Sequence, residues 1–224
     1  MHKSLPSVFS CLFLAFAMVS IAGAQDESPA FSVAYIEVRP SMTEQAVALL
    51  TAHAEKSRAQ DGNLRFQALQ RFGRPNHFAI LDAWESRQHQ NEHAAATAAF
   101  RNELEKMLYS PYDERKSFAS LGTSAAGSDG EVYVLTHVDF APPSLDQGLV
   151  VIEALINASR QEAGANEIGL IVQDSRKNHM TLFEVWSSEA AHETHITSDH
   201  TMRARVDLQA LIGALYDERL YRRL

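Results

Sequence analysis

The sequence predicts an α+β fold made of two copies of one unit, and three observations support this prediction. The chain of 224 residues repeats itself at a spacing of 102 residues. Each copy shows extended and helical segments in the order β-α-β-β-α-β. A stretch of small and polar residues, 121–130, has the composition of a linker. The predicted domains are therefore 31–120 and 131–224.

Scarce residues carry the repeat. Trp84 and Trp186, the two tryptophans of the chain, are 102 residues apart, and so are His93 and His195. Two copies of this length indicate a fused pair of domains, because the units of solenoid proteins are shorter and more numerous.

The elements of each copy follow from periodicity and from turn residues. The first strand ends before a proline, an amphipathic helix follows, and a glycine ends that helix. Two further strands, a helical region behind a serine N-cap and a short last strand complete the unit. The predicted strands are Phe31–Val38, Leu64–Arg71, Phe78–Trp84 and Ser117–Ala119, then Val132–Asp139, Glu167–Gln173, Met180–Trp186 and Leu220–Arg222. The predicted helical regions are Thr43–Ala59, 87–109, Leu145–Glu162 and 189–215. This order is that of the ferredoxin-like split βαβ unit.

Side-chain alternation in the third strand of each copy predicts which face of the sheet meets the helices. One face is almost entirely apolar, and we expect it to pack on the helices. The other face carries an acid and a tryptophan, Asp82 with Trp84 and Glu184 with Trp186. Two sheets with one uncovered face each predict an α+β barrel within one chain. This arrangement is an intramolecular pseudo-dimer, and a homodimer of whole chains is a further option.

Composition and the N-terminal segment limit the classes of function. The net charge is −8, and no run of basic residues exceeds two, which argues against nucleic-acid binding. Met1–Ala24 has a basic start, an apolar run and an Ala-Gly-Ala end, which predicts a secretory signal peptide. We expect a secreted or periplasmic protein with no membrane segment after cleavage. The single cysteine, Cys11, lies in this segment, so cysteine chemistry is excluded from the mature chain.

The second copy carries the most informative motif. Phe-Glu-Val-Trp-Ser-Ser-Glu-Ala at 183–190 is followed by His195 and by Ser-Asp-His at 198–200. The first copy has Asp-Ala-Trp-Glu-Ser at 82–86, followed by His93. This pattern resembles the signature of the antibiotic biosynthesis monooxygenase family, which includes quinol-monooxygenase-like proteins. The resemblance covers both predicted domains.

This resemblance implies a function as well as a fold. In the best-understood members, an electron-rich phenol or hydroquinone is deprotonated in an apolar pocket and reacts with O₂, without metal, haem or flavin. We therefore predict an exported, cofactor-independent monooxygenase-like protein whose partners are a small aromatic molecule and O₂. Phenol-oxidising members carry an asparagine four residues before the tryptophan, where this chain has Ile80 and Leu182.

The candidate site residues come from the same motif. The predicted catalytic residues are His195, Glu184 and His93, because groups that titrate near neutral pH can accept a phenolic proton. The predicted substrate-binding residues are Trp186, Trp84, Leu182, His137 and Tyr35. Tyr35 and His137 occupy matching positions on one face of the first strands. Structural roles remain the alternative, with tryptophans in the core, histidines packing a helix and acids accepting buried hydrogen bonds.

One group of residues has the spacing of metal ligands. It consists of His192, Glu193, His195, Asp199 and His200. The first copy has Gln90, His93, Thr97 and Ala98 at the equivalent positions. Since a histidine-rich helix is commonly just solvated, we predict no metal site.

Divergence between the copies predicts where chemistry would take place. The second copy retains more of the motif, so we expect activity to depend mainly on it, with the first copy completing the barrel. Two other functions remain open, a non-catalytic module that binds a small apolar ligand and a haem-handling relative on the same scaffold. Oxygen uptake would separate the enzyme from the binding module, and haem absorption would identify the third.

Overall fold

The computed structural model describes residues 28–117, 119–120 and 130–224, with the backbone alone described at 119 and 120. The predicted signal peptide, 1–24, and all but one residue of the predicted linker lie outside these ranges. Among the helices in the described ranges, none is long and apolar enough to cross a membrane.

Each half of the chain forms one β-α-β-β-α-β unit, as predicted. The first half contains strands β1 (Ala30–Glu37), β2 (Asn63–Arg71), β3 (His77–Trp84), β4 (Asp113–Ser117) and β5 (Ala119–Ser120), and helices α1 (Thr43–Arg58), α2 (Arg87–Ala96) and α3 (Ala98–Glu105). The second half contains strands β6 (Val132–Asp139), β7 (Ala165–Val172), β8 (His179–Trp186) and β9 (Asp217–Arg223), and helices α4 (Leu145–Ser159), α5 (Glu189–Ile196) and α6 (Asp199–Leu208).

Local signals account for the ends of several helices. The Ser86 hydroxyl accepts a hydrogen bond from the His89 backbone N–H at 3.3 Å, and Ser188 caps α5 in the same way. Gly62 follows α1 with φ +71°, a conformation that favours glycine. A β-carbon at Gly62 would lie 2.3 Å from the ring of His89, so the turn also needs glycine for space.

The helical region predicted after each serine cap consists of two helices, and it ends at Glu105 and Leu208, before the predicted ends at 109 and 215. In the first half, α2 ends at Thr97, whose hydroxyl donates to the His93 carbonyl at 2.8 Å. In the second half, Ser198 begins α6 by accepting from the Thr201 backbone N–H at 3.4 Å. Hydroxyl side chains that bond to the nearby backbone compete with helix continuation, which explains the break.

The nine strands of the described residues form one antiparallel sheet in the order β4-β1-β3-β2-β9-β6-β8-β7-β5. Strand β9 pairs with β6 of its own half and with β2 of the other half. At the two ends of this order, β4 pairs with β1 and β5 pairs with β7. Because only one residue separates the end of β4 from the start of β5, the two ends of the sheet meet and close a barrel. The predicted barrel within one chain is confirmed.

The two faces of the strands are the reverse of the prediction. The apolar face, which includes Leu81 and Phe183, lines the barrel interior. Trp84 and Trp186 instead pack in the layers between the sheet and the helices of their own halves. Both faces are buried, so alternation alone does not distinguish them. On the acid–tryptophan face, Asp82 accepts from Gln90 of α2 and Glu184 lies near His195 of α5, so the outer helices supply polar partners for the acids.

An ion pair joins equivalent positions of the two halves. Arg65 and Glu167 are 102 residues apart in the sequence, yet the Arg65 guanidinium donates to the Glu167 carboxylate from both Nη atoms, one at 3.2 Å. The side chains are only 10% and 5% exposed. In a dimer of two identical first halves, two arginines would face each other here. The fused chain has opposite charges at these positions, which favours pairing within the chain.

Candidate functional site

A cavity of about 360 Å³ lies in the first half, between the outer face of the sheet and helices α2 and α3. Its walls combine aromatic side chains with groups that accept or donate protons. The residues that line it include His53, Phe66, Ile80, Asp82, Gln90, His93, Phe100, Arg101, Tyr112 and Glu114. This volume accommodates a small aromatic molecule, and the lining offers polar groups to orient one.

Asp82 is a buried acid of this cavity and is surrounded by hydrogen-bond donors. Its carboxylate accepts from the Ser32 hydroxyl at 2.5 Å, from Trp84 Nε1 at 3.0 Å and from Gln90 Nε2 at 3.2 Å. Burial raises the pKa of Asp82 to about 6, although these hydrogen bonds oppose the rise. The carboxyl group therefore titrates close to neutral pH, which suits a proton acceptor.

His93, on α2, also lines this cavity and stacks on the indole of Trp84, with ring centroids 4.6 Å apart. Its Nδ1 lies 2.6 Å from Gln60 Oε1. With that amide oxygen as acceptor, Nδ1 carries the proton and Nε2 keeps its lone pair. Burial lowers the pKa of His93 to about 4, so the imidazole is neutral near pH 7.

His53, on α1, is a residue of this cavity that the sequence did not single out. It stacks face to face on Phe100, with centroids 3.6 Å apart. Burial is the main reason that the pKa of His53 falls to about 3, with smaller contributions from His93 and two cations. Across the cavity, the Arg101 guanidinium lies 3.3 Å above the ring of Tyr112. The cavity therefore presents two uncharged imidazoles and an aromatic wall.

The second half repeats the central stack with different neighbours. Trp186 Nε1 donates to Glu184 Oε2 at 2.8 Å, and the ring of His195 stacks on Trp186 at 4.6 Å. Nε2 of His195 lies 3.8 Å from the Glu184 carboxylate. Burial raises the pKa of Glu184, while His195 and the Trp186 N–H oppose the rise.

Beyond this stack, Glu162 brings two histidines together. Its Oε1 lies 2.6 Å from His195 Nδ1 and 2.8 Å from His200 Nε2. The first half has Gln60 in place of Glu162 and, at the same spacing of 102 residues, Ala98 in place of His200. The second half therefore holds a carboxylate and two imidazoles where the first half has one imidazole and an amide.

His192 joins a separate contact rather than this group. Its Nε2 lies 3.6 Å from Glu218, which also accepts from Arg205 at 2.8 Å. Burial acts to raise the pKa of Glu218, but the contacts with His192 and Arg205 outweigh it and lower the pKa. The side chains of Glu193 and Asp199 are exposed. Of the five residues with metal-ligand spacing, the structure brings only His195 and His200 together.

Tyr35 and His137 occupy another part of the molecule. They face each other inside the barrel with ring centroids 5.2 Å apart, on the opposite side of the sheet from both tryptophans. Desolvation lowers the pKa of His137 to about 4. The predicted substrate-binding set is thus divided, because Trp84, Trp186 and Leu182 belong to the outer layers.

Sequence reasoning missed the residues that distinguish the two halves. Gln60 and Glu162 come just after the first helix of their halves, His53 lies inside α1, and none belongs to the tryptophan motif. The spacing of 102 residues does align Gln60 with Glu162, so the substitution of an amide by an acid was a detectable signal. The sequence alone does not show that Gln60 and Glu162 contact the motif histidine of their own half.

Asn76 and Asn178 have structural roles. The Asn76 side-chain amide donates to the Val38 carbonyl at 3.0 Å, and Asn178 donates to Phe140 at 2.9 Å. Each asparagine therefore ties a turn to the end of the first strand of its own half.

Comparisons with known proteins agree with this architecture. The family model described as "Antibiotic biosynthesis monooxygenase" matches residues 29–102 and 131–206. No curated protein matches the sequence. Among solved structures, a "putative monooxygenase" from Fusobacterium nucleatum aligns with a TM-score of 0.79 at 15% identity, over 88% of this chain and 93% of that one. A second protein of the same description, from Lactobacillus acidophilus, has a TM-score of 0.72 at 14% identity, over 88% and 94% of the two chains.

A third solved structure carries a more specific description. An "anthrone oxidase-like protein" aligns with a TM-score of 0.65 at 12% identity, over 89% of this chain and 92% of that one. At these identities the three structures show a shared fold.

Proposed function

The chain belongs to the antibiotic biosynthesis monooxygenase family, and from this premise we propose that it oxidises a small phenol or quinol with O₂ in the first-half cavity. The observation that carries the proposal is the lining of that cavity, where Asp82 and His93 meet aromatic walls within about 360 Å³. At the corresponding stack, the second half has the Glu162 carboxyl group between two histidines, His195 and His200. The geometry therefore favours the first half as the substrate site, whereas the sequence favoured the second.

The proposed role of the chain is to bind, desolvate and deprotonate its substrate. We assign proton abstraction to two groups of this cavity, Asp82 and the Nε2 lone pair of His93. Removing a phenolic proton raises the electron density of the ring, which then reduces O₂. One oxygen atom enters the ring and the other leaves as water. The inserted atom becomes a carbonyl when a phenol gives a quinone and a hydroxyl when a quinol gives a hydroxyquinone. For a quinol, the products are a hydroxyquinone and one water molecule, which balances atoms and electrons without another reductant.

The environment of the two acceptors supports this assignment. A carboxyl group with a pKa of about 6 is ionised at neutral pH, yet it is basic enough to take a proton from an activated phenol. The stack on Trp84 and the contact with Gln60 hold the His93 ring in place. A site of this kind requires little movement before proton transfer.

The test is oxygen consumption by chelator-treated protein with a panel of hydroquinones, phenols and anthrones. We expect kcat/KM to rise with pH through about 6, as Asp82 loses its proton. Asp82→Asn should remove this rise, while Glu184→Gln in the second half should preserve it. Ligand binding without oxygen uptake across the panel would contradict the proposal and favour a non-catalytic binding module.

Export is a second, separate proposal and is based on the sequence of Met1–Ala24. A basic start, an apolar run and an Ala-Gly-Ala end are the features of a cleaved signal peptide. Mass spectrometry of protein recovered outside the cytoplasm should give a mature chain that begins at Gln25. A chain that retains Met1 in that fraction would contradict cleavage.

A further inference from the structure

Three side chains of the second half converge on one point. Glu162 Oε1 is the centre of the group, 2.6 Å from His195 Nδ1 and 2.8 Å from His200 Nε2. The three potential ligand atoms all lie within 4.8 Å of one another. One carboxylate oxygen and two imidazole nitrogens form a donor set that suits a divalent transition metal.

The surroundings of His195 are those of a metal-binding histidine. Its Nδ1 faces Glu162, and its Nε2 lies 3.4 Å from the Thr201 hydroxyl and 3.8 Å from the Glu184 carboxylate. Metal-bound histidines usually direct the second ring nitrogen to a carboxylate, which fixes the tautomer and the ring orientation. The stack on Trp186 restricts the ring further. Glu184 in turn accepts a hydrogen bond from Trp186 Nε1 at 2.8 Å.

Access and spacing also fit an ion. The His195 side chain is 3% exposed, whereas His200 is 31% exposed, so one side of the group faces solvent. Ligands that bind zinc at about 2.0–2.1 Å are about 3.4 Å apart in a tetrahedral site. The observed contacts with Glu162 are less than 1 Å shorter than this, by comparison of 2.6 and 2.8 Å with about 3.4 Å.

We propose that Glu162, His195 and His200 bind one divalent transition-metal ion of the zinc type, with a fourth position open to water. The first half supplies the natural contrast. There Gln60 offers a neutral amide, Ala98 offers no ligand, and only His93 remains of the three. The site thus belongs to the second half alone and is independent of the oxidation proposed for the first half.

Calorimetric titration of the tag-free, chelator-stripped full chain with Zn²⁺ tests this proposal. We expect one ion per chain. His200→Ala and Glu162→Gln should each weaken binding more than about 100-fold, because loss of a direct ligand costs at least as much as loss of an outer partner. His93→Ala, which removes the matching histidine of the first half, should leave the affinity unchanged.

A spectroscopic readout separates ligation from a change in folding. Co²⁺ bound to the wild-type chain should give visible absorption of a low-coordinate nitrogen and oxygen site, and His200→Ala should abolish it. Since His200 is partly exposed, circular dichroism of this variant should match the wild type, and His200→Gln provides a second variant. Absence of Zn²⁺ binding, or binding that survives His200→Ala and His200→Gln, would overturn the proposal. Oxygen uptake does not enter this test, so failure of the proposed oxidation would leave its outcome unaffected.

Discussion

The two outer layers of this molecule preserve one arrangement and use it differently. In both halves a histidine stacks on a tryptophan at 4.6 Å, with interplanar angles of 27° and 29°, and the indole N–H donates to an acid two residues earlier. Around that stack, Gln60 of the first half corresponds to Glu162 of the second. The first half has an aromatic cavity with uncharged imidazoles, and the second has a cluster of one carboxyl group and two histidines.

This comparison shows that duplication within one chain allows two equivalent sites to acquire different side chains. In a homodimer, any substitution appears in both sites, and equivalent residues near the symmetry axis meet their own copies. In the fused chain, the two sites diverge independently, and the Arg65–Glu167 contact shows that even paired positions have done so. The barrel is pseudo-symmetric in backbone and asymmetric in chemistry.

We expect the largest effect from breaking the ion pair between Arg65 and Glu167, which joins the two halves. Arg65→Glu places two carboxylates against each other in a nearly buried position, which should reduce the free energy of unfolding by about 3–5 kcal/mol. The melting temperature should fall by about 10 °C. Thermal unfolding followed by circular dichroism measures both quantities.

A charge swap provides the control for this prediction. The double variant Arg65→Glu with Glu167→Arg restores opposite charges, and we expect it to recover most of the lost stability. A double variant as unstable as the single one would show that the charges do not pair across the barrel.

The next effect compares the two stacked histidines in catalysis. His93→Ala removes a proton acceptor from the cavity and should reduce kcat/KM for oxygen uptake about 100-fold. His195→Ala should reduce it less than about threefold, since that ring lies in the other half. The assay is the oxygen electrode with the best substrate of the panel, at matched thermal stability. A larger loss for His195→Ala than for His93→Ala would show that the reaction takes place in the second half, as the sequence predicted.

A smaller effect concerns pH and the buried histidine of the cavity. The pKa of His53 is about 3 in the folded chain, compared with 6.5 for the ordinary group. Between these values the unfolded chain binds more protons, so His53 makes the fold less stable as the pH falls from 6.5. His53→Leu, which introduces the residue found at Leu155, should remove this loss. At pH 4.5 we expect the variant to be about 2 kcal/mol more stable than the wild type.

The measurement is a series of denaturant unfolding curves from pH 7 to 4.5. The advantage of His53→Leu over the wild type should grow as the pH decreases. A constant difference at all pH values would show that the effect comes from packing and not from proton binding.

We expect the smallest effect from a feature that the two halves share, the serine N-cap of the helix after the third strand. Ser86 and Ser188 cap α2 and α5 by accepting from the backbone at 3.3 and 3.2 Å. Substitution of either serine by alanine should cost about 1 kcal/mol, with little difference between the two. Chemical denaturation of the two variants side by side measures this. Losses that differ by more than about 1 kcal/mol would show that the halves differ in local stability as well as in chemistry.

The sequence by itself was sufficient for the architecture. The spacing between Trp84 and Trp186 revealed the duplication, and the strand and helix periods predicted the order of elements. The barrel followed because a two-layer unit leaves one sheet face without cover. These inferences depend on local patterns and on the need to bury apolar surface, both of which are present in the chain itself.

Tertiary structure alone decided which face carries the chemistry and which residues surround it. Both faces of β3 and β8 are buried, so hydrophobic alternation gave no means of choosing between the barrel and the helices. Gln60, Glu162 and His53 approach the stacked histidines from α1 or from the loops after α1 and α4, 33–40 residues away in the chain. Such contacts depend on how the helices pack on the sheet. A shift of one residue in that packing would bring a different side chain to the site.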